Sequence, residues 1–463
     1  MKLLHLTEKY LYKILGNELD FDLKQYLLKG SFSSILMQVF SMGLNFFIGI
    51  LLARTIGAEG YGTFTYVFTL LSVICTIAVF GMDDLLVREV SSFQGQNNYS
   101  GIISIIKWTI KRVLVFSIII SIIFFMVINF SDLLSPEKKS ALNFVLPGIP
   151  IFAIVMLLQA GRRGLHQVIS GQFPEKIARP LIFIFIVFAL FLIDDTLVKL
   201  HPDFVVLLNI IAYGMAMIIL IYQLNKFLKL KKNSFQNPVE QKTWLKSSFY
   251  FFIATIMAVI NVRADILMLG WMKSDTEVGI YNVAARFSDF TAFALLIITP
   301  LIAPSISRLY SLKEKEKLQQ LVSKAARANF IFAALITFLL VMLGTYPLKI
   351  FGTQFTEGYN CMLLLCGGQL LTTFAGPAGN ILLMTGFEKY AFYSGLAGTI
   401  INIALNLAWI PNYGINGAAA ATAVSLFIWN GLQTFFVFKK LGINPTVLIR
   451  EYSQARNEKR VSQ

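Results

Sequence analysis

The sequence predicts an all-α polytopic membrane protein of about twelve transmembrane helices, in two six-helix lobes related by a pseudo-two-fold axis along the membrane normal. Three observations carry that reading. Of 463 residues, 56% are hydrophobic and only 14% are charged, whereas a soluble domain carries about 25% charged residues. Mean hydropathy is +0.68, too apolar for a surface that faces water. Long charge-free runs recur, many near the roughly 20 residues that a helix needs to cross a hydrocarbon layer about 30 Å thick. A soluble multidomain fold is excluded. So is a disordered chain, because 41 Phe and 17 Tyr do not belong in a solvated tail.

Taken in order, residues 1–30 form a cytoplasmic segment and not a signal peptide, since the apolar runs are only two or three residues long and no small-residue cleavage site follows. Leu3, Leu4, Leu6, Tyr10, Leu11, Ile14 and Leu15 fall near helical spacing with lysines between them, the pattern of an amphipathic helix lying on the membrane. The first lobe, 31–225, holds runs at 31–52, 61–82, 113–130, 141–160, 178–193 and 204–224. A basic cytoplasmic linker, 226–247, follows. The second lobe, 248–440, holds runs at 248–269, 280–303, 328–343, 362–384, 391–410 and 418–438, and 441–463 is a cytoplasmic tail. The last two runs are divided by Pro411-Asn412-Tyr413-Gly414-Ile415-Asn416-Gly417, whose residues favour a turn. Gly376-Pro377 predicts a bend in the tenth run.

The charge of +15 sets topology. With the N terminus inside, 32 Lys and Arg fall on cytoplasmic segments and 6 on external loops. The positive-inside rule then places both termini in the cytoplasm and accounts for the charge without nucleic acid. The two halves repeat at an offset of 217: Leu28-Lys29-Gly30-Ser31-Phe32 matches Leu245-Lys246-Ser247-Ser248-Phe249, and Gly62-Thr63-Phe64 meets Gly279-Ile280-Tyr281. Six spans per half is an even number, so both halves share one orientation and enclose a cavity.

No enzyme chemistry is visible. His5, His166 and His201 have no partners at metal-ligand spacing. Cys75, Cys361 and Cys366 lie in or beside apolar runs, where cysteine packs as a small apolar group. No phosphate loop, dinucleotide fingerprint or nucleophile elbow occurs, so neither cofactor nor resident metal is expected. Transport would draw on the substrate gradient, the membrane potential or an ion gradient, with H+ and Na+ as candidate coupling ions.

Charges inside the spans are the main functional signal, because each costs several kcal/mol at mid-bilayer unless it meets a partner or a wet cavity. Arg263 and Asp265 lie in the seventh run, Arg286 and Asp289 in the eighth. At about 1.5 Å per residue, Arg263 is roughly 9 Å and Arg286 roughly 10 Å from the outer end. Asp265 is shallower and Asp289 deeper. Two readings stay open: the guanidinium forks hold an anionic headgroup, or the four residues form interhelical salt bridges, Arg286 and Asp289 being spaced to pair along one face. Asn45 lies at the depth of Arg263. Asn402 and Asn406 share one face of the eleventh run.

The stretch Leu51-Leu52-Ala53-Arg54-Thr55-Ile56-Gly57-Ala58-Glu59-Gly60-Tyr61-Gly62-Thr63-Phe64 resembles Wzx-type oligosaccharide flippases, as does Phe80-Gly81-Met82-Asp83-Asp84-Leu85-Leu86-Val87-Arg88-Glu89. In the second half, Asp265-Ile266-Leu267-Met268-Leu269-Gly270, Val278-Gly279-Ile280-Tyr281-Asn282-Val283-Ala284-Ala285-Arg286 and the turn from Pro411 to Ala419 carry the same resemblance, over roughly 27–441. The superfamily joins multidrug extruders, lipid II flippases and polysaccharide-repeat flippases. The resemblance implies that an undecaprenyl-diphosphate-linked oligosaccharide is flipped from the inner to the outer leaflet of the cell membrane by alternating access, in polysaccharide (O-antigen) biosynthesis. It implies partners in membrane lipids and in polysaccharide polymerase or assembly proteins. It puts Arg263, Asp265, Arg286 and Asp289 on the cavity wall and lets Tyr281 stack on sugar. Asn45 and Arg54 complete the expected substrate-binding set. The alternatives are a cation-coupled drug or metabolite extruder of the same superfamily and a non-transporting scaffold of a glycan synthase complex.

Overall fold

The structure, a computed structural model, describes residues 21–130, 136–193, 201–229 and 242–448. The expectations for residues 1–20, for the linker at 230–241 and for the tail beyond 448 lie outside the described residues. Residues 21–30, placed in the N-terminal segment, are helical and continuous with the first spanning helix.

The first lobe contains α1 (Phe21–Val79), α2 (Met82–Gly95), α3 (Tyr99–Phe130), α4 (Pro136–Val145), α5 (Gly148–Gly164), α6 (Val168–Phe173), a π-helical turn (Pro174–Ala178), α7 (Arg179–Ile193) and α8 (Pro202–Lys229). The second contains α9 (Lys242–Met272), α10 (Asp275–Asp289), α11 (Phe293–Ser311), α12 (Lys315–Leu343), α13 (Tyr346–Lys349), a 3-10 turn (Thr353–Gly358), α14 (Tyr359–Ala375), α15 (Ala378–Met384) and α16 (Glu388–Leu441). Among the described residues there is no strand.

Among the described residues, seven helices are long and apolar enough to cross a membrane, or nine when each of two bent pairs is taken as one span. Two of the seven hold two expected runs each. α1 is broken at Gly57, which has φ 70 and ψ −177. α16 is broken at Gly414, with φ 52 and ψ −131. Without a β-carbon, glycine enters both conformations at low cost. α16 folds back on itself, since Asn402 Nδ2 lies 3.4 Å from both Thr422 Oγ1 and Ser425 Oγ. The tenth run bends by 43° between α14 and α15, at the predicted Gly376-Pro377.

The eighth run is also broken. Ser274 caps α10 by accepting from the Glu277 N–H at 3.3 Å, and Asp275 and Glu277 in the first turn suit the positive end of the helix dipole. Past Asp289 the chain tightens into i to i−3 hydrogen bonds, from Thr291 N to Ser288 O (3.0 Å), from Ala292 N to Asp289 O (3.2 Å) and from Phe293 N to Phe290 O (3.3 Å), before α11 begins. Such turns inside a helix mark a hinge. α11 then carries Pro300 and Pro304.

The apolar packing shows how the lobes meet. At the end that holds Gly57, one core joins both lobes. Leu52, Tyr61 and Val67 from α1 share it with Val278, Tyr281, Val283 and Ala284 from α10 and Phe351 and Phe355 beyond α13. Glycines let the backbones approach: a β-carbon at Gly62 would fall inside the Asp275 carbonyl oxygen, and one at Gly279 would collide with the Ala58 carbonyl oxygen. Small residues at such contacts are how membrane helices pack closely. The opposite end bears Arg88, Arg162, Arg163, Arg308 and Lys440 and is called the basic end. There the core is divided. One cluster packs Met82, Leu86, Ile105 and Leu158 of the first lobe, and another packs Ile306, Leu318, Leu382 and Val437 of the second. The lobes stay joined at the basic end through α9. Trp244 packs edge-on to Trp108 with centroids 5.3 Å apart, Phe252 stacks on Phe80 at 4.8 Å, and Ser248 Oγ donates to Phe80 O at 2.5 Å.

Gly376 holds the bent tenth run in place. It has φ +70, and a β-carbon there would collide with the Pro445 carbonyl oxygen of the chain that straps back after α16. Val447 N bonds Phe374 O at 3.1 Å beside it. Gly376→Ala is expected to destabilise the protein by about 1–3 kcal/mol through left-handed strain plus collision. Thermal unfolding of the purified protein in detergent measures this, and an unchanged midpoint refutes the strap contact.

Candidate functional site

Arg286 projects from α10 across the lobe interface. Its Nη1 donates to the backbone carbonyl of Asn45 on α1 at 2.8 Å, and its Nε donates to Asn282 Oδ1 at 3.1 Å. The guanidinium lies 5.9 Å from the Tyr61 ring centroid, and the Tyr61 hydroxyl donates to the same Asn282 oxygen at 2.9 Å. Gly49 makes room, since a β-carbon there would stand 2.5 Å from Arg286 Nη1. Asn45 and Tyr61 flank one guanidinium although 16 positions separate them, so α1 folds back at Gly57.

Asn45 also faces the first lobe. Its Oδ1 accepts from Arg179 Nη2 at 3.0 Å. Arg179 donates further to Asn209 Oδ1 and Glu175 O, both at 3.3 Å, and covers the Tyr213 ring at 4.6 Å. Arg263 lies within electrostatic range of Asp289, Arg286 and Tyr213, and Tyr213 is in turn in range of Arg179. Three guanidiniums from two lobes thus gather around Asn45 and Tyr213. Among the described residues no carboxylate forms an ion pair with any of them. The salt-bridge reading of Arg286 and Asp289 is therefore not what the geometry shows. Arg286 turns toward α1, and Asp289 stands exposed at the hinge, where the cores part toward the basic end. Gly43, two residues before Asn45 on α1, is exposed. Three guanidiniums, with the Asp289 carboxylate in electrostatic range of two of them but in an ion pair with neither, are an anion-receptive arrangement.

The seven sequence candidates separate into three places. Arg263, Arg286, Asp289 and Asn45 come together at the cleft. Asp265 and Tyr281, expected on the cavity wall, do not. Both are buried inside the second lobe, where the Tyr281 hydroxyl donates to Asp265 Oδ2 at 2.7 Å, Thr422 Oγ1 donates to the same oxygen at 2.5 Å, and Asn406 Nδ2 donates to Asp265 Oδ1 at 2.7 Å. Their helix faces turn toward α16, and Tyr281 has no face free for a sugar. Arg54 lies at the Gly57 end, donating to Ile350 O and Lys349 O at 2.9 Å each. Around it, Thr63 Oγ1 donates to Asp275 Oδ2 at 2.8 Å and Lys138 pairs with Asp275 at 2.8 Å. These contacts tie the two lobes shut at that end.

Arg179 was missed. Beside Pro180 it reads as the start of a span and as one more residue of the positive-inside count. The helix starts earlier, at Val168, and runs through the π turn that holds Pro174. Arg179 then stands 11 residues, about 16 Å, along it. The usable signal was an arginine one helical turn past Glu175 with an unbroken apolar run after it.

The family model described as "Polysaccharide biosynthesis protein" matches residues 27–310, which is more than half of the chain. The chain belongs to this polysaccharide biosynthesis protein family. A second model, MatE, matches residues 248–408. This polysaccharide biosynthesis family protein is 23% identical to the "Probable low-salt glycan biosynthesis flippase" of Haloferax volcanii, over 89% of its own length and 83% of the relative's. It is 22% identical to "Stage V sporulation protein B" of Bacillus subtilis, over 93% and 86% respectively. Its fold matches an inward-facing multidrug resistance MATE family transporter with a TM-score of 0.72 at 12% identity, covering 87% of this chain and 94% of the other. The lipid II flippase MurJ in an inward closed conformation matches with a TM-score of 0.62 at 16% identity, covering 87% and 86%. The family protein is thus a multi-pass helical membrane protein with the two-lobed fold of these transporters.

Proposed function

We propose that this protein flips an undecaprenyl-diphosphate-linked oligosaccharide from the cytoplasmic to the outer leaflet by alternating access, for surface polysaccharide biosynthesis. The observation that carries this reading is the group of three guanidiniums, Arg179, Arg263 and Arg286, none of which forms an ion pair among the described residues, near where the shared apolar core gives way to separate clusters toward the basic end. By the positive-inside rule the basic end faces the cytoplasm, where such a substrate is made. A diphosphate needs forked donors. The sugars need a wet passage, and the polyprenyl chain stays in lipid. The polysaccharide family membership and the flippase among the relatives support the same reading. Alternating access then consists of breaking the contacts of Arg54, Thr63, Lys138 and Asp275 at the Gly57 end while the basic end closes, with the α10–α11 break as hinge. Depletion in cells with no second flippase is expected to strand the lipid-linked oligosaccharide on the inner leaflet. Normal surface glycan in depleted cells would count against the proposal.

The coupling cation acts at Asp265. Its carboxylate is buried, accepts three hydrogen bonds and, among the described residues, has no ion pair. Burying such a charge costs several kcal/mol unless a proton or metal ion balances it. Asn406 Oδ1, also buried beside it, has no hydrogen-bond partner and supplies a further oxygen. Among the described residues no three His, Cys, Asp or Glu converge, so the site suits H+ or Na+ rather than a transition metal. Asp265→Asn is expected to leave insertion intact and remove the dependence of flipping on the Na+ or pH gradient. Assays in vesicles with each gradient imposed separately check this, and an unaltered gradient dependence refutes it.

A further inference from the structure

We propose that a pocket at the basic end of the second lobe binds the phosphate headgroup of an anionic phospholipid. The pocket, about 470 Å3 in volume, lies between the end of α11, the start of α12 and the end of α16. Lys313, Lys315 and Lys440 line it together with Tyr310, over an apolar floor of Leu318 and Ile443. No carboxylate lines it. The nearest in sequence, Glu314, is held by Lys317 at 3.0 Å. Among the described residues none of the three lining lysines has an ion-pair partner.

The pocket is built into the fold. Lys313 has φ 58, which turns the chain between α11 and α12. Gly442, with φ +62, lets Lys315 Nζ lie against the turn that ends α16, where a β-carbon would stand 2.5 Å from it. The strap behind that turn is fixed to α12 through Gln319, which donates to Asn444 O at 2.7 Å and accepts from Asn444 N at 2.8 Å. The three ammonium groups are thus carried by two segments, the α11–α12 turn and the end of α16, held in fixed register.

The surroundings favour a lipid over a free anion. Leu312 is 54% exposed and Phe438 is 63% exposed, and they stand on the same last turns as the lysines. A ligand with a phosphate at the lysines and acyl chains along these apolar side chains satisfies both surfaces. Basic pockets at the cytoplasmic ends of membrane helices recognise anionic headgroups in this way. The assignment to the cytoplasmic leaflet rests on the orientation proposed above, but the binding itself does not.

The test uses the full-length protein, delipidated and exposed to phosphatidylglycerol or phosphatidylcholine, with retained lipid counted by native mass spectrometry. The protein is expected to retain phosphatidylglycerol selectively. The triple variant Lys313→Gln/Lys315→Gln/Lys440→Gln is expected to retain it at least about tenfold more weakly. The corresponding triple arginine variant keeps the charge and is expected to keep the binding, which separates loss of a site from loss of folding. Equal retention by the triple glutamine variant would overturn the proposal. Displacement of the lipid by millimolar inorganic phosphate would overturn the lipid assignment in favour of a free-phosphate site. Neither outcome depends on flipping, so this proposal and the flippase reading fail separately.

Discussion

Replacing Arg286 by alanine is expected to lower flipping by at least about a hundredfold while the protein still inserts. Arg286 makes charge-assisted hydrogen bonds to Asn45 O and Asn282 Oδ1, each worth about 1.5–3 kcal/mol, and in the proposed mechanism the diphosphate competes for the same fork. Arg286→Lys is expected to fail as well, because a single ammonium cannot serve two acceptors in one plane. Gly49→Val reaches the same result without touching the charge, since its β-carbon would stand 2.5 Å from Arg286 Nη1. Arg263→Ala tests the guanidinium that, among the described residues, makes no hydrogen bond. Accumulation of lipid-linked oligosaccharide on the inner leaflet, together with membrane-inserted protein level, measures all four. Full activity in both alanine variants would end the cationic-site proposal.

Gly62→Val is expected to hold the Gly57 end open and to abolish flipping to a comparable degree. In the closed arrangement a β-carbon at Gly62 would overlap the Asp275 carbonyl oxygen. Asp275 also accepts from Thr63 and pairs with Lys138, so the whole set of closing contacts must part. A reporter exists in Ala58, which is 1% exposed. Cys75, Cys361 and Cys366 are all buried and leave the background low. Ala58→Cys is expected to resist a membrane-impermeant thiol reagent in the parent and to react in the Gly62→Val background. Protection in both would show that the lobes close there without the glycine contact. Together with the Arg286 series, this separates loss of substrate binding from loss of the conformational cycle.

Much of the architecture was legible beforehand because its signal is local. A spanning helix requires a run of apolar residues whatever lies next to it, so the segments between 31 and 438 could be marked by composition. The breaks at Gly376-Pro377 and Gly414 followed from residues that relax or interrupt helical geometry, and the break at Gly57 falls in the gap between the first two expected runs. The break after Asp289 was not visible, because Phe290, Thr291 and Ala292 are ordinary helix residues and the tightened turn is imposed by packing against the other lobe. The direction each side chain takes was not readable either. Asp265 and Arg263 are two positions apart, yet one turns into the second lobe and the other toward the cleft.

The sequence by itself determined the class, the apolar runs that become spanning helices, and the presence of arginines within two consecutive runs, since hydropathy and charge add up along the chain. Only the tertiary structure decided which of those charges share a site. It brought in Arg179, drew Asp265 and Tyr281 away with Asn406 and Thr422, and made Gly49 the gap through which Arg286 reaches Asn45. Each of those outcomes depends on the rotation of one helix against another. That rotation is fixed by contacts hundreds of residues apart in sequence, where no local pattern records it.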